Sequence, residues 1–220
     1  MSDATEPVAD WVYPRFASVD VDVASPLVLV PMGDRDPADE YWGEPGDPLP
    51  ALWQEVISAG VRPRFEMEKI LPGVPPDEWD DNPIVDAVEL HEAGDNRAAT
   101  RLLRDLVASD VRCVDAWAHL GFIAFDTRGP GPAGELYEQG VAVAELSLPE
   151  QFRGVLPRGL IDNRPFLRCL HGLALCRWRQ RRWDDAEALL TARVWLDPTG
   201  SLDALACLDE VRARHRWAPA

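Results

Sequence analysis

Asp20-Val21-Asp22 sets two carboxylates two residues apart. On an extended chain, residues so spaced share one face. Converging carboxylates could hold a divalent cation; the alternative is the wet side of an edge strand, where charge discourages aggregation. Glu66, Glu68, Asp77, Glu78, Asp80 and Asp81 crowd around Trp79. Paired carboxylates could act as acid and base in glycoside cleavage, but a run so rich in Pro and Asp reads better as a solvated acidic linker. Cys169, His171 and Cys176 miss the C-x₂₋₄-C spacing of zinc ligands, and on a helix the first two point apart. They read as core thiols and a groove histidine. Cys113 and His119 fit a metal no better, and a Cys–His pair that meets only in space stays open. The chain has no G-x-x-x-x-G-K-[ST], G-x-G-x-x-G after a strand, G-x-S-x-G or H-E-x-x-H, which removes the common nucleotide, hydrolase and zinc-protease readings. No catalytic residue, metal or cofactor is assigned.

Charge narrows the partners. Of 220 residues, 22 are Lys or Arg and 38 are Asp or Glu, a net charge of −16. That balance opposes binding to nucleic acid or to an anionic membrane. No window approaches ~18 consecutive apolar residues, so no membrane span is expected. The first residues show neither a basic nor an apolar signal region, and the four cysteines lack paired spacing. A reducing, cytoplasmic setting is the expectation. The charge is also unevenly placed. Residues 1–150 hold 10 basic and 30 acidic side chains; residues 151–220 hold 12 and 8. The C-terminal cations are all Arg, suited to carboxylates, phosphates and aromatic faces.

Two regions must position these groups. Residues 1–80 form an acidic, Pro/Gly-rich segment. Ser18–Val23 alternates and Leu27–Val30 is a short apolar run, which predicts two short strands. Gly33–Pro50 is dense in breakers and reads as loop, Leu49–Ala59 as one helix, and Phe65–Leu71 as a further short element. From Pro83 the period becomes helical. Helices are predicted on either side of Gly94-Asp95-Asn96, from Asp115, and from Ala133 to Leu148 after the Gly129–Pro132 break. An irregular insert spans Pro149–Arg164, with Asn163 placed to cap a helix from Arg164 to about Gln180. Helices over 182–196 and from Ser201 complete the chain.

Trp117, Leu120, Gly121 and Ala124 in one helix, the small Ala99, Ala133 and Ala186 in its neighbours, and Pro198 after Leu196-Asp197 together resemble the tetratricopeptide repeat superfamily. Ala99 to Ala133 is 34 residues, one such repeat, whereas Ala133 to Ala186 is 53, leaving 19 extra at the insert. Val111 stands where that family has Pro, and the first hairpin lacks the Trp and Leu-Gly pattern. Residues 156–168 also resemble a motif of bacterial tetratricopeptide-like proteins of unassigned function. The resemblance implies a mainly α fold over residues 83–216: an α-solenoid of about three stacked antiparallel helical hairpins plus a C-terminal capping helix. The N-terminal segment, with short strands and one helix, lies outside it.

The resemblance further implies a groove lined by the first helix of each hairpin. Its register yields Val88, His91 and Glu92; then Asp115, Ala118, Phe122, Phe125 and Asp126; then Arg168, His171, Leu175, Trp178 and Arg179. The Lys and Asn with which chaperone-binding relatives clamp a terminal carboxylate are absent at these positions, although Arg168 and Arg179 could hold an acidic group. The favoured function is a non-catalytic adaptor or scaffold that binds a protein or peptide, with an acidic segment, in this groove. That segment could be the chain's own residues 1–80 folded back. The competing readings are an enzyme with carboxylates in the N-terminal third, and a homodimer through the last helix.

Overall fold

The computed structural model describes residues 11–74 and 82–218. Asp77, Glu78, Trp79, Asp80 and Asp81 lie outside the described residues. The N-terminal part contains strand β1 (Leu29–Arg35), helix α1 (Ala51–Ser58) and strand β2 (Arg62–Met67). Seven helices follow: α2 (Pro83–Glu92), α3 (Asn96–Ser109), α4 (Val114–Thr127), α5 (Pro130–Glu145), α6 (Arg164–Arg179), α7 (Trp183–Leu196) and α8 (Leu202–Arg212).

Local chemistry sets the helix ends. The Asn82 side chain accepts from the Ile84 amide, with Pro83 in the first turn. Asp95 does the same for Ala98, immediately after Gly94 reverses the chain at φ +84°. Such caps satisfy donors that have no partner inside a helix. The helix α5 starts three residues earlier than expected because Pro130 and Pro132 fall in its first turn, where a missing N–H costs nothing.

The hairpins α2/α3, α4/α5 and α6/α7 pack in sequence; α4 also lies directly on α6, and α8 closes the stack against α7. The fold is therefore mainly α, an α-solenoid of three stacked helical hairpins with a capping helix. Tyr137 of α5 is the wedge that fixes the α4–α6 approach. A Cβ on Gly121 or on Gly172 would overlap its ring, so both neighbouring helices yield to the same aromatic. Ile84, Ala99, Leu103, Leu120 and Ile123 form one apolar cluster around α2–α4. A larger cluster joins α4–α8 to Tyr13, Leu27, Trp53, Val56 and Met67 of the N-terminal part.

The strands differ from expectation. β1 covers Leu29–Arg35, and its antiparallel partner is β2, with an irregularity between Pro31 and Asp34. Ser18–Val23 is irregular, with a bend at Val19, and belongs to no sheet. Helix carboxylates, not a strand, take its neighbourhood's amides. Glu145 accepts from the backbone of Phe16 (2.8 Å) and Ala17 (3.2 Å) and from the Tyr13 hydroxyl (2.9 Å). Glu138 accepts both the amide (3.0 Å) and the hydroxyl (2.7 Å) of Ser18. The valines of the alternation are half-buried while Asp20 and Asp22 are exposed.

The 150–163 insert completes this side of the molecule. Phe65 and Val155 join β2 to the insert by backbone bonds of 3.0 and 2.9 Å. Buried Arg62 donates to the carbonyls of Arg153, Gly154 and Trp195, and lies over the stacked rings of Trp11 and Trp195. Burial holds its pKa down to about 10. Asn163 stands at the expected cap position of α6 but makes no capping bond. Its fully buried amide instead joins β2 to the insert, accepting from Met67 N and donating to the carbonyls of Phe65 and Pro157. Ser201 likewise donates to Pro198 and does not cap α8 by its side chain.

Gly172→Ala should lower unfolding free energy by about 1–3 kcal/mol through overpacking against Tyr137. Gly159→Ala, where a Cβ meets nothing within 4 Å, should change it little. Urea melts of the two variants check this.

Candidate functional site: a cavity on the inner helices

Positions 88, 91 and 92 of α2, 118, 119 and 122 of α4, and 164, 168, 171 and 175 of α6 recur every three or four residues. Each set therefore occupies one face of its helix. Stacking brings the three faces together around an open cavity of about 620 Å³, whose lining also includes Leu103, Tyr137, Arg158, Leu167, Arg193 and Asp203. Of the residues expected in a partner groove, His91, Glu92, Phe122, Arg168 and His171 line it, with Val88, Ala118 and Leu175 from the same register. Phe122 is 48% exposed and meets the His91 ring edge-on at 5.4 Å.

The other expected groove residues lie elsewhere. Asp115 is buried beneath the surface as the ion partner of Arg168 (2.9 Å), with His119 3.6 Å away. Phe125, Trp178 and Arg179 gather at the far end of α4 and α6 around Trp217, which the residues after α8 bring back over them. Trp217 meets Trp178 at 4.9 Å and Phe125 at 5.7 Å, and the Arg179 guanidinium sits 4.5 Å above the Phe125 ring. Trp178 is buried and its indole donates to the His215 carbonyl. Asp126 does not line the cavity.

Residues 11–74 do not line it either. The expected fold-back of the acidic segment over the groove is thus not what the described residues do. They dock on the outer helices α5 and α7: Glu138 and Glu145 of α5 accept from Tyr13 to Ser18, while Arg62 donates to the Trp195 carbonyl of α7 and Trp11 stacks on the Trp195 ring. The C-terminal arginines find acids within the helical stack: Arg168 with Asp115, Arg177 with Glu138, Arg193 with Asp197 and Arg212 with Glu187. Among the described residues, Arg158 and Arg164 have no carboxylate partner, and both line the cavity.

The carboxylates proposed for chemistry are placed as acceptors. Glu68 takes the Val28 amide at 2.9 Å and Glu66 takes that of Asp162 at 3.4 Å; neither they nor Asp20 and Asp22 line the cavity. Among the described residues, no three His, Cys, Asp or Glu side chains gather as metal ligands. The four cysteines are unpaired. Burial pushes the Cys113 and Cys176 thiols up to about 12, and Cys169 higher still. A thiol so disfavoured as thiolate is a poor nucleophile near neutral pH.

Two of the cavity's imidazoles have their basicity lowered. Burial depresses His119, opposed by Asp115 and aided by Arg168 and His91. Burial also depresses His171, opposed by Asp203 and aided by Arg193. Sequence reasoning missed His119, although it stands four residues after Asp115 and three before Phe122. It also missed Arg158, Arg193 and Asp203, which come from the insert, an outer helix and the capping helix, where no periodicity points inward.

No family model and no curated protein matches the chain. The solved structure of PcrH in complex with the chaperone binding region of PopD aligns with 66% of this chain and 98% of that one, at 18% identity and a TM-score of 0.48. The fold assignment rests on the helix packing described above. No helix among the described residues is long and apolar enough to cross a membrane.

His119 and His171 both titrate below the ordinary 6.5. The unfolded chain therefore binds their protons first, and the stability they confer is present above about pH 6.5 and lost as pH falls through the folded-state values. Glu145, raised by burial, contributes with the opposite sign, so the comparison must be differential. Melting temperature should drop between about pH 7.5 and pH 5.5 less steeply in a His119→Gln/His171→Gln double variant than in wild type.

Proposed function

We propose that this chain is a non-catalytic helical-repeat adaptor whose inner cavity takes a peptide segment of a protein partner. One observation carries the reading. An aromatic side chain, Phe122, stands half-exposed in an open cavity that also holds two arginines without carboxylate partners among the described residues, in a chain of net charge −16. A large exposed aromatic costs free energy that a partner's apolar side chain recovers, and such residues dominate binding energies. Val88 and Leu175 extend the apolar floor, and Arg158, Arg164 and Arg168 bias the choice toward a segment carrying carboxylates.

Among the described residues, 11–74 are engaged on the outer helices and none of them lines the cavity, which favours an acidic segment supplied by another molecule. The outer face is already covered, by the 11–23 segment along α5 and by α1 and the insert near α7. This leaves the inner face for a ligand. Four unpaired thiols suit a reducing compartment, and the cytoplasm is the setting we favour.

Panning a random dodecapeptide display library against the whole chain tests the reading. Enriched sequences should pair a large apolar residue with Asp or Glu. Phe122→Asp should weaken the selected peptides at least about tenfold, the loss of an anchor contact. Leu146→Asp, on an exposed site beyond α5 and away from the cavity, should bind as wild type does. Absence of enrichment, or equal binding by Phe122→Asp, would sink the proposal.

A further inference from the structure

The cavity is chemically uneven, and one corner of it is left unfinished. Arg193 reaches it from the outer helix α7, with only 3% of its surface exposed. One terminal nitrogen donates to Asp197 at 2.9 Å, but Nε has no acceptor among the described residues. His171 of α6 lines the same cavity, and its buried Nδ1 has no partner among the described residues either. A buried polar nitrogen left without a partner is costly, so two of them on residues of one cavity wall mark a place that a ligand completes. Arg35 also leaves two nitrogens without acceptors, but it lies off the cavity, paired with Glu40 and stacked on Trp42.

The surroundings select the ligand group. Arg164 and Arg158 lie in the same lining, tied together by a bond from Arg164 Nε to the Arg158 carbonyl (3.0 Å) and free of carboxylates among the described residues. Asp197 already neutralises Arg193 and also accepts the Arg158 amide at 3.1 Å. Asp203 of α8 stands near His171, where it opposes the loss of basicity. The donors therefore call for an oxygen acceptor, while the modest excess of positive charge suits a monoanion better than a dianion. A planar carboxylate can take one N–H on each oxygen, from the guanidinium edge and from the Nδ1–H tautomer of the imidazole.

We propose that Arg193 Nε and His171 Nδ1, flanked by Arg164 and Arg158, form a carboxylate-binding subsite within the cavity. It rests on the reading that the inner cavity takes a ligand, and it adds which residues recognise the acidic group. It draws on an outer-helix arginine and the insert, not on the inner-helix register that defined the groove in sequence. A bound segment would set its apolar side chain against Phe122 and its carboxylate, from a side chain or a chain end, against Arg193 and His171.

The test uses glutarate as probe, with inorganic phosphate as the competing arm, followed by NMR of histidine-labelled protein. Glutarate should move the His171 ring signals saturably, with Kd on the order of 1–10 mM. It should leave exposed His215, paired with Glu210, unmoved. Arg164→Gln should weaken the probe about fivefold, and Arg193→Lys, which keeps the charge near Asp197 but removes the guanidinium edge, about tenfold. Circular dichroism melts verify that each variant folds. If Arg193→Lys does not fold, Arg164→Gln alone decides.

Any of these results would overturn the subsite: no His171 shift up to about 50 mM glutarate, equal shifts at His171 and His215, or saturation by phosphate without glutarate. Peptide selection on the inner face could still succeed in each case, so the two proposals fail separately. To separate the two carboxylate sources, N-acetylglutamate amide is compared with N-acetylalanine. Preference for the first assigns the subsite to a side chain, and for the second to a chain terminus. Binding of neither overturns it.

Discussion

Everything on the inner face depends on one steric fit: Tyr137 lodged between Gly121 and Gly172. Interiors are packed so closely that one added methyl must displace something. Here the two glycines remove the methyls that would otherwise hold α4 and α6 off the ring. The wedge is buried, its hydroxyl pKa raised by that burial, and the ring also reaches the cavity lining. Spacing of the helices and shape of the cavity are therefore the same constraint.

The outer face is finished differently. Glu138 and Glu145, one face of α5, accept amides and hydroxyls from Tyr13 to Ser18 as a neighbouring strand's carbonyls would. Glu138 is also paired with Arg177, which helps hold its carboxyl below the usual range. At Glu145 burial outweighs the hydrogen bonds it accepts and the nearby Arg15, and raises its carboxyl. Arg62 does the converse, bringing a buried cation to three carbonyls and two indoles. Together these groups attach the N-terminal part to α5, α7 and the insert, and among the described residues 11–74 none lines the cavity of the inner helices.

Helical periodicity was legible because apolar residues repeat locally. Leu120-Gly121 even pointed to a close contact, though not to the ring that fills it. The register of the inner helices likewise anticipated His91, Phe122, Arg168 and His171. It erred in extending the groove to Phe125, Trp178 and Arg179, because Trp217 returns from beyond α8 and covers that end. β2 was not legible as a strand: its partners β1 and Val155 lie some 30 and 90 residues away, and Pro63 and two arginines break its apolar pattern. Asn163 looked like a cap by its place before Arg164-Pro165. Only the fold reveals that its amide has more demanding work between β2 and the insert. Ser18–Val23 showed true alternation, but alternation reports two faces and not a sheet.

Hydrogen exchange on the complex with a selected peptide tests the central claim most directly. If the inner cavity is the binding face, added protection falls on α2, α4 and α6 around residues 88–91, 118–122 and 168–175, and the 11–23 segment exchanges as before. Protection confined to the N-terminal segment, β1 or α8, with the inner helices unchanged, would contradict the account.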